Sequence, residues 1–435
     1  MIYGGDGLAR LPADEKGSGK AVFVPFVLPG EKIEAVITEQ KPGFVRARAE
    51  SIVEVSSHRV KPACPYFGSC GGCHYQHSSY EHQLEIKKEI LHETLRRTAK
   101  VDSTQPIQVH PSPPWNYRNR SRLKVQATPE FKAGYFKMAS HELLAVEQCP
   151  ISSPLINRGI AALWQSGRAN KVPPGVDEVE FFANADDSQL LVEVLAGQKS
   201  RRAALRAWAE EFRGSLPEII GVVVFRAGEA PKDAPDKLLT VGTDHLTYRS
   251  EHSAYRVSAG SFFQTNRHLT DELVKIVTEG QAGEAALDLY AGVGLFSTAL
   301  CDMRHIFSVE SSQTSTADLS YNLSSNGEAV QATTEQYLSG LEKARRAGKG
   351  AALPHPAFRP DLAVVDPPRG GLGERVARML VTLGAPRVVY VSCDPVTLAR
   401  DLVVLLAGGY RIEQLHLVDL FPQTFHLETV VRLAR

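Results

Sequence analysis

No apolar run in this 435-residue chain approaches the roughly 20 residues that a membrane-crossing helix needs. The start, Met1-Ile2-Tyr3-Gly4-Gly5-Asp6, lacks both the basic and the apolar region of a secretory signal. The expected compartment is therefore the reducing cytoplasm, with no membrane partner. Net charge is missing too, since 49 Lys and Arg balance 49 Asp and Glu. That argues against coating nucleic acid by bulk charge, but not against a local basic face. Cysteine is scarce, with six residues, so a disulfide scaffold is excluded. Hydrophobic residues at 43% and charged residues at 23% exclude a disordered or fibrous chain. At roughly 100–200 residues per domain, the length suggests about two to four domains.

What is present changes along the chain. Short strands at Ala21–Val24, Lys32–Ile37 and Phe44–Ala49, separated by Pro-Gly turns, predict a small barrel or sandwich. A cysteine-bearing loop follows at 62–77, then a helix of about 20 residues. Ser78 with Glu81 reads as its capping box. Residues 116–258 mix strands with a helix at Ala203–Phe212. From about residue 260, apolar strands alternate with helices, the pattern of a parallel α/β sheet covered on both faces.

Four strand ends in this last region carry chemistry. Asp288-Leu-Tyr290-Ala-Gly292-Val-Gly294 lies between an apolar strand and an expected helix at Phe296–Leu300. Its glycines allow a tight turn against a ligand at a helix N-terminus. Glu310 ends the next strand, where an acid suits ribose hydroxyls. Two glycines instead of three favour a single nucleoside such as S-adenosylmethionine over a dinucleotide. Asp366 opens the rigid turn Asp366-Pro-Pro-Arg369, and Cys393 stands in Ser392-Cys-Asp394-Pro at the end of the following strand. A free cysteine on that rim is a candidate nucleophile; the plainer reading is a small buried hydrophobe. In His426-Leu-Glu428-Thr, Glu428 opens a strand and is a candidate general base, with His426 as its rival.

Elsewhere, Cys64, Cys70 and Cys73 fall within ten residues, with glycines that permit a wrap around a metal. Cys149, followed by Pro150, is the candidate fourth ligand. Zinc and iron–sulfur both remain open on spacing alone. Aromatic residues interleave with cations from Trp115 to Lys124, a pattern suited to base stacking and phosphate contact. Residues 41–62 carry five Lys/Arg against two Asp/Glu, and residues 115–140 carry six against one. These windows predict a local RNA-binding face.

Together, Ser261-Phe-Phe-Gln264-Thr-Asn266, the 288–294 turn, Asp366-Pro-Pro-Arg369, Ser392-Cys-Asp-Pro395 and His426-Leu-Glu-Thr429 resemble the RNA uracil-5-methyltransferase family, in family order and over essentially the whole chain. The N-terminal segment resembles the TRAM domain, a small RNA-binding β-barrel. The resemblance implies a C-terminal class I S-adenosylmethionine-dependent (Rossmann-like) domain at 259–435. Before it would come an OB-like TRAM barrel at 1–57 and a central α+β iron–sulfur domain at 58–258, whose helix at 79–100 could pack on the methyltransferase domain. It implies that Gln264, Tyr290, Gly292, Gly294, Glu310 and Asp366 form the cofactor pocket, with Cys393 as nucleophile and Glu428 as base. It also implies a [4Fe-4S] cluster on Cys64, Cys70, Cys73 and Cys149. Leu295 departs from the asparagine that many members carry there.

The implied activity is methylation at C5 of a specific uridine through a cysteine–C6 adduct, in a monomer. A TRAM segment with a cysteine cluster resembles the members acting on ribosomal RNA more than the tRNA enzyme. The alternatives are a tRNA uridine-5-methyltransferase, an adenine amino-methylating enzyme, or an inactive iron–sulfur RNA-binding protein. Arg369 after the prolines and the intact Cys393 and Glu428 argue against the last two.

Overall fold

Turns at Gly30 and Gly43 fold the first strands back on one another. β1 (Asp6–Arg10), β2 (Ala21–Pro25), β3 (Lys32–Gln40) and β4 (Phe44–Glu54) form one sheet in the order β1-β2-β4-β3. It encloses a small core of Val22, Val24, Val27, Val45 and Ala47. The computed structural model describes residues 1–11, 19–101, 105–228, 235–347 and 359–435.

The cysteine loop leads into α1 (Tyr80–Thr94), which continues as a π-turn over Leu95–Ala99. The expected capping box does not form: Ser79, not Ser78, occupies the cap position, and no side chain caps the helix. A buried polar network at this end of the helix, described below, takes over that anchoring. β5 (Ile107–His110) then pairs in parallel with a strand near the C-terminus. Both α1 and β5 therefore lie on the C-terminal sheet.

β6 (Arg120–Gln126), β7 (Lys132–Phe136), β8 (Leu143–Ala145), α2 (Pro154–Arg168), β9 (Val176–Ala183), β10 (Leu190–Ala196), α3 (Arg202–Arg213), β11 (Ile219–Arg226) and β12 (Asp236–Gly242) build a second sheet. Its order is β12-β11-β10-β9-β6-β7-β8, and α2 and α3 share its apolar core. Ser153 caps α2 by accepting from the Ile156 N–H at 3.3 Å, ahead of Pro154. A hairpin, β13 (His245–Arg249) and β14 (Ala254–Ser258), joins this unit to the last one.

The last unit runs through α4 (Thr270–Thr278), β15 (Gly283–Leu289), β16 (Met303–Glu310), α5 (Gln313–Asn322), β17 (Gly327–Gln331), α6 (Thr334–Ala347), β18 (Leu362–Val365), α7 (Gly373–Leu383), β19 (Arg387–Ser392), α8 (Pro395–Ala407), β20 (Arg411–Val418) and β21 (Glu428–Ala434). Its eight strands lie in the order β17-β16-β15-β18-β19-β21-β20-β5. β15 to β19 run parallel and β21 runs against them. The Val, Leu and Ala side chains of β15, β18, β19 and β21 are buried between two apolar clusters, one on each face. Among the described residues, no helix is long and apolar enough to cross a membrane.

Candidate active site

The register of the C-terminal sheet brings the strand-end residues to one rim. Leu289 is level with Val309 and Val365, so Tyr290, Glu310 and Asp366 each step off the sheet together. Val365 is level with Tyr390 on β19, and Ser392 faces Thr429 on antiparallel β21. One residue further, Cys393 leaves β19 opposite Glu428, where β21 begins.

The turn after β15 is tight and strained. Tyr290 has φ +64, Gly292 +56 and Gly294 +94. A side chain at Gly294 would come within 2.9 Å of Leu319. The Gly292 N–H donates to Glu310 Oε2 at 3.0 Å, and the Ser312 N–H donates to Oε1 at 2.7 Å. The helix expected over Phe296–Leu300 is absent; only a 3-10 turn at Ser297–Ala299 forms. Ser297 turns inward there and donates to Asp288, so the segment cannot extend as an exposed helix. The glycine turn is held by Glu310 and Asp288, not by a helix end.

Asp288, Asp366 and Glu428 form an acidic group along the rim. Burial raises Asp288 to about 7, against the pull of Ser297. Burial, and then the neighbouring Asp288, raise Asp366 to about 7. Burial, and then Asp366, push Glu428 well above the usual carboxylate range. Asp288 Oδ1 is buried without a hydrogen-bond partner. Among the described residues, none of the three forms an ion pair. Buried carboxyls without a cation complement a positively charged ligand such as a sulfonium.

Burial, Glu428 and Asp366 together push the Cys393 thiol up to about 12, against the pull of Arg369. Asp394 caps α8 by accepting from the Val396 and Thr397 N–H groups at 3.0 and 2.9 Å, which fixes the Cys393 backbone. Arg369 Nη2 lies 3.2 Å from both ring nitrogens of His426. Burial, and then Arg369, pull His426 down to about 3. In the loop after Asp366, Gly371 has φ +70, and a side chain there would meet Asp401 at 2.5 Å.

Gln264 lies in the 261–266 loop, which the central unit holds firmly. Asn119 Nδ2 donates to the Gln264 carbonyl at 3.1 Å, and Arg120 donates to the Ser261 carbonyl. Asn266 Nδ2 donates to the Leu420 carbonyl at 3.1 Å. Sequence reasoning missed Tyr3, whose ring lies edge-on to Phe425 at 5.4 Å and whose hydroxyl is pushed up by burial and then by nearby Asp394. A lone tyrosine near the start carries no signal of that contact.

Cys64, Cys70, Cys73 and Cys149 line one cavity of about 250 Å³ together with Arg118 and Gln148. The sequence-predicted fourth cysteine thus joins the other three. Among the described residues, no set of three or more His, Cys, Asp or Glu side chains closes on a single metal ion. One cation of the predicted basic face, Arg120, is withdrawn from it. Arg120 is buried against Glu180 and Glu193, the latter at 2.8 Å, because it supports the Ser261 loop. Lys41, Arg46, Arg48, Arg59, Arg122, Lys124, Lys132 and Lys137 also sit on nearby acids. Among the described residues of the two windows, Lys61 and Arg118 alone lack an acidic partner.

Residues 79–435 match the tRNA (Uracil-5-)-methyltransferase family, and residues 3–49 match the TRAM domain. The chain belongs to that family. Its class is that of S-adenosylmethionine-dependent RNA (uracil-5-)-methyltransferases, and the buried acids at the rim fit that cationic cofactor. An RNA methyltransferase of Aquifex aeolicus is 32% identical over 100% of this chain and 96% of its own. The 23S rRNA (uracil(1939)-C(5))-methyltransferase RlmD of Pseudomonas fluorescens is 32% identical over 97% of this chain and 92% of its own. A Pyrococcus abyssi tRNA (uracil-54, C5)-methyltransferase, solved with S-adenosyl-L-homocysteine, superposes with a TM-score of 0.73. At 24% identity, over 99% of this chain and 100% of that one, it supports the fold.

Proposed function

We propose that the enzyme methylates C5 of a specific uridine in large-subunit ribosomal RNA, with Cys393 as nucleophile and Glu428 as base. The observation that carries this reading is the strand register that sets Cys393 opposite Glu428, beside Asp366. The target base must be unstacked and swung into the rim to expose C6. Cys393 Sγ attacks C6, and the electron pair of the C5–C6 double bond makes C5 nucleophilic. S-adenosylmethionine, when bound, supplies the methyl group that C5 takes. Glu428 then removes the C5 proton, the double bond returns, and Sγ leaves as the better-stabilised thiolate.

Glu428 is preferred to His426 for that step. A carboxyl whose proton affinity is raised is an effective base near neutral pH. His426, held neutral by Arg369 and burial, is a poor one. Gln264, Tyr290, Gly292, Gly294, Glu310 and Asp366 form the cofactor pocket in this reading. Arg369 favours the Cys393 thiolate, and a cationic cofactor held by Asp366 would offset the carboxyl that opposes it.

Cys64, Cys70, Cys73 and Cys149 are the ligands of a [4Fe-4S] cluster in this reading. Four cysteines lining one cavity, with only one Cys-x2-Cys pair among them, are what speaks for a cluster over zinc. Anaerobic purification should give brown protein with iron and sulfide in equal amounts; colourless, zinc-bearing protein would overturn the assignment. Ribosomal RNA is favoured over tRNA by the TRAM segment, the cysteine set and the likeness to the Pseudomonas fluorescens enzyme. The protein is proposed to act as a cytoplasmic monomer.

The test is Glu428→Gln, incubated with S-adenosylmethionine and unmodified ribosomal RNA. A methylated RNA adduct that survives denaturing electrophoresis supports the reading, and free product in its place refutes it. Mapping 5-methyluridine in ribosomal and transfer RNA from cells with and without the protein identifies the substrate.

A further inference from the structure

The face of α1 that meets the C-terminal unit is polar where packing alone would make it apolar. Tyr80, Gln83 and Lys87 follow one another at helical spacing on that face, and Gln83 and Lys87 are fully buried. All three grip the segment that runs from β20 into Glu428. Tyr80 Oη donates to Asp419 Oδ2 at 2.9 Å. Lys87 Nζ donates to Asp419 Oδ1 at 2.6 Å and to the Phe421 carbonyl at 2.9 Å. Gln83 and Gln423 bond twice: the Gln423 N–H donates to Gln83 Oε1 at 3.0 Å, and Gln83 Nε2 donates to Gln423 Oε1 at 3.0 Å.

The same side chain reaches the cysteine loop. Gln83 Nε2 also donates to the Tyr75 and Ser78 carbonyls at 3.1 and 3.0 Å. In return, the His74 and Tyr75 N–H groups donate to the Gln423 carbonyl at 2.8 and 2.9 Å. Tyr117 Oη holds the Pro422 carbonyl at 3.0 Å. Gln423 itself has φ +67, a conformation that a non-glycine residue keeps only when its surroundings enforce it. A buried ion pair adds little to stability over well-packed hydrophobic residues. What such a network fixes is position.

We propose that Gln83 and Lys87 are positioning residues for Glu428. By clasping residues 419–423, they fix where β21 starts and so hold the carboxyl over C5 of the base bound to Cys393. The inference rests on the reading of Glu428 as the base. Loss of the clasp then slows C5-proton removal and departure of Sγ from C6, while formation of the Sγ–C6 bond and methyl transfer proceed.

The experiment is a single-turnover time course with the full-length enzyme, S-adenosylmethionine and unmodified large-subunit ribosomal RNA. Methyl incorporation and the denaturant-stable adduct are followed together. Gln83→Met removes the amide at nearly constant volume. Lys87→Met combined with Asp419→Leu removes the charged clasp without leaving an unpaired buried charge, which guards against a folding failure. Both are expected to form methylated adduct at the wild-type rate and to resolve it about ten to a hundred times more slowly, as small misplacements of catalytic groups do. A lower yield of active enzyme with an unchanged adduct lifetime would mean that the clasp is purely structural, and would overturn the proposal. Glu428→Gln runs alongside. If it traps no adduct, the base assignment fails and takes the clasp with it. If it traps adduct while both clasp variants turn over normally, only the clasp fails.

Discussion

The catalytic rim and the cysteine-bearing half treat charge in opposite ways. At the rim, Asp288, Asp366 and Glu428 are buried together, and among the described residues none of them pairs with a cation. In the other half, nearly every cation of the two basic windows is matched by an acid of the same unit. Buried acids left unmatched are costly unless a positive ligand arrives, so they indicate where the sulfonium belongs. Most of these matched cations are exposed, so a phosphate would reach them by displacing a weak surface ion pair. One half is prepared for a small cation, and the other keeps its charges in pairs.

The sharpest way to break this contrast is Cys393→Ala. Methylation and adduct should vanish while cofactor binding stays near wild type, as read by calorimetry beside a methyl-transfer assay. Retained methylation would show that the rim works without its nucleophile.

In the other half, Arg120→Ala should cost about 3–5 kcal/mol of stability, because it strands Glu193 in the interior and removes one of the two cations on Glu180. Denaturant unfolding measures this. A loss below about 1 kcal/mol would show that Arg120 behaves like a surface cation after all.

A smaller effect concerns pH. Asp288 and Asp366 titrate near 7 in the free enzyme, and a cationic cofactor favours their charged forms. Cofactor affinity should therefore rise by about tenfold from pH 6 to pH 8, with proton release on binding. The sign for stability is opposite. Because these pKa values are raised by folding, the free enzyme should lose stability as pH climbs through about 7. Flat affinity across that range would mean the acids do not face the sulfonium.

The smallest effect is expected at Arg118, which lacks an acidic partner among the described residues. Arg118→Ala should weaken RNA binding modestly and lower the salt slope of log K by about 1. An unchanged slope would place this cation away from phosphate.

Much of the rim was legible in the sequence because its signals are local. An apolar strand followed at once by Asp366-Pro-Pro or Cys393-Asp-Pro already implies a parallel-sheet edge. Glu310 and the glycine turn were legible for the same reason. The missing helix at Phe296–Leu300 was not, because Ser297 is drawn inward by Asp288, a contact that no helical periodicity reports. The fate of Arg120 was hidden as well. An alternating strand looks the same whether its arginines meet water or glutamates on a neighbouring strand. Tyr3, Gln83 and Lys87 were invisible because their partners lie hundreds of residues away.

Those distances bear on how the protein is made. Tyr3 meets Asp394, Tyr80 and Lys87 meet Asp419, and Gln83 meets Gln423. During translation, the N-terminal sheet can close early on its own short-range contacts, but the reactive loop has to wait for residues 419–423 to be made. Folding of the site is thus dominated by late, long-range pairing, the slow and chaperone-exposed kind. The site around Glu428 is complete only once residues 80–87 have met residues 419–423.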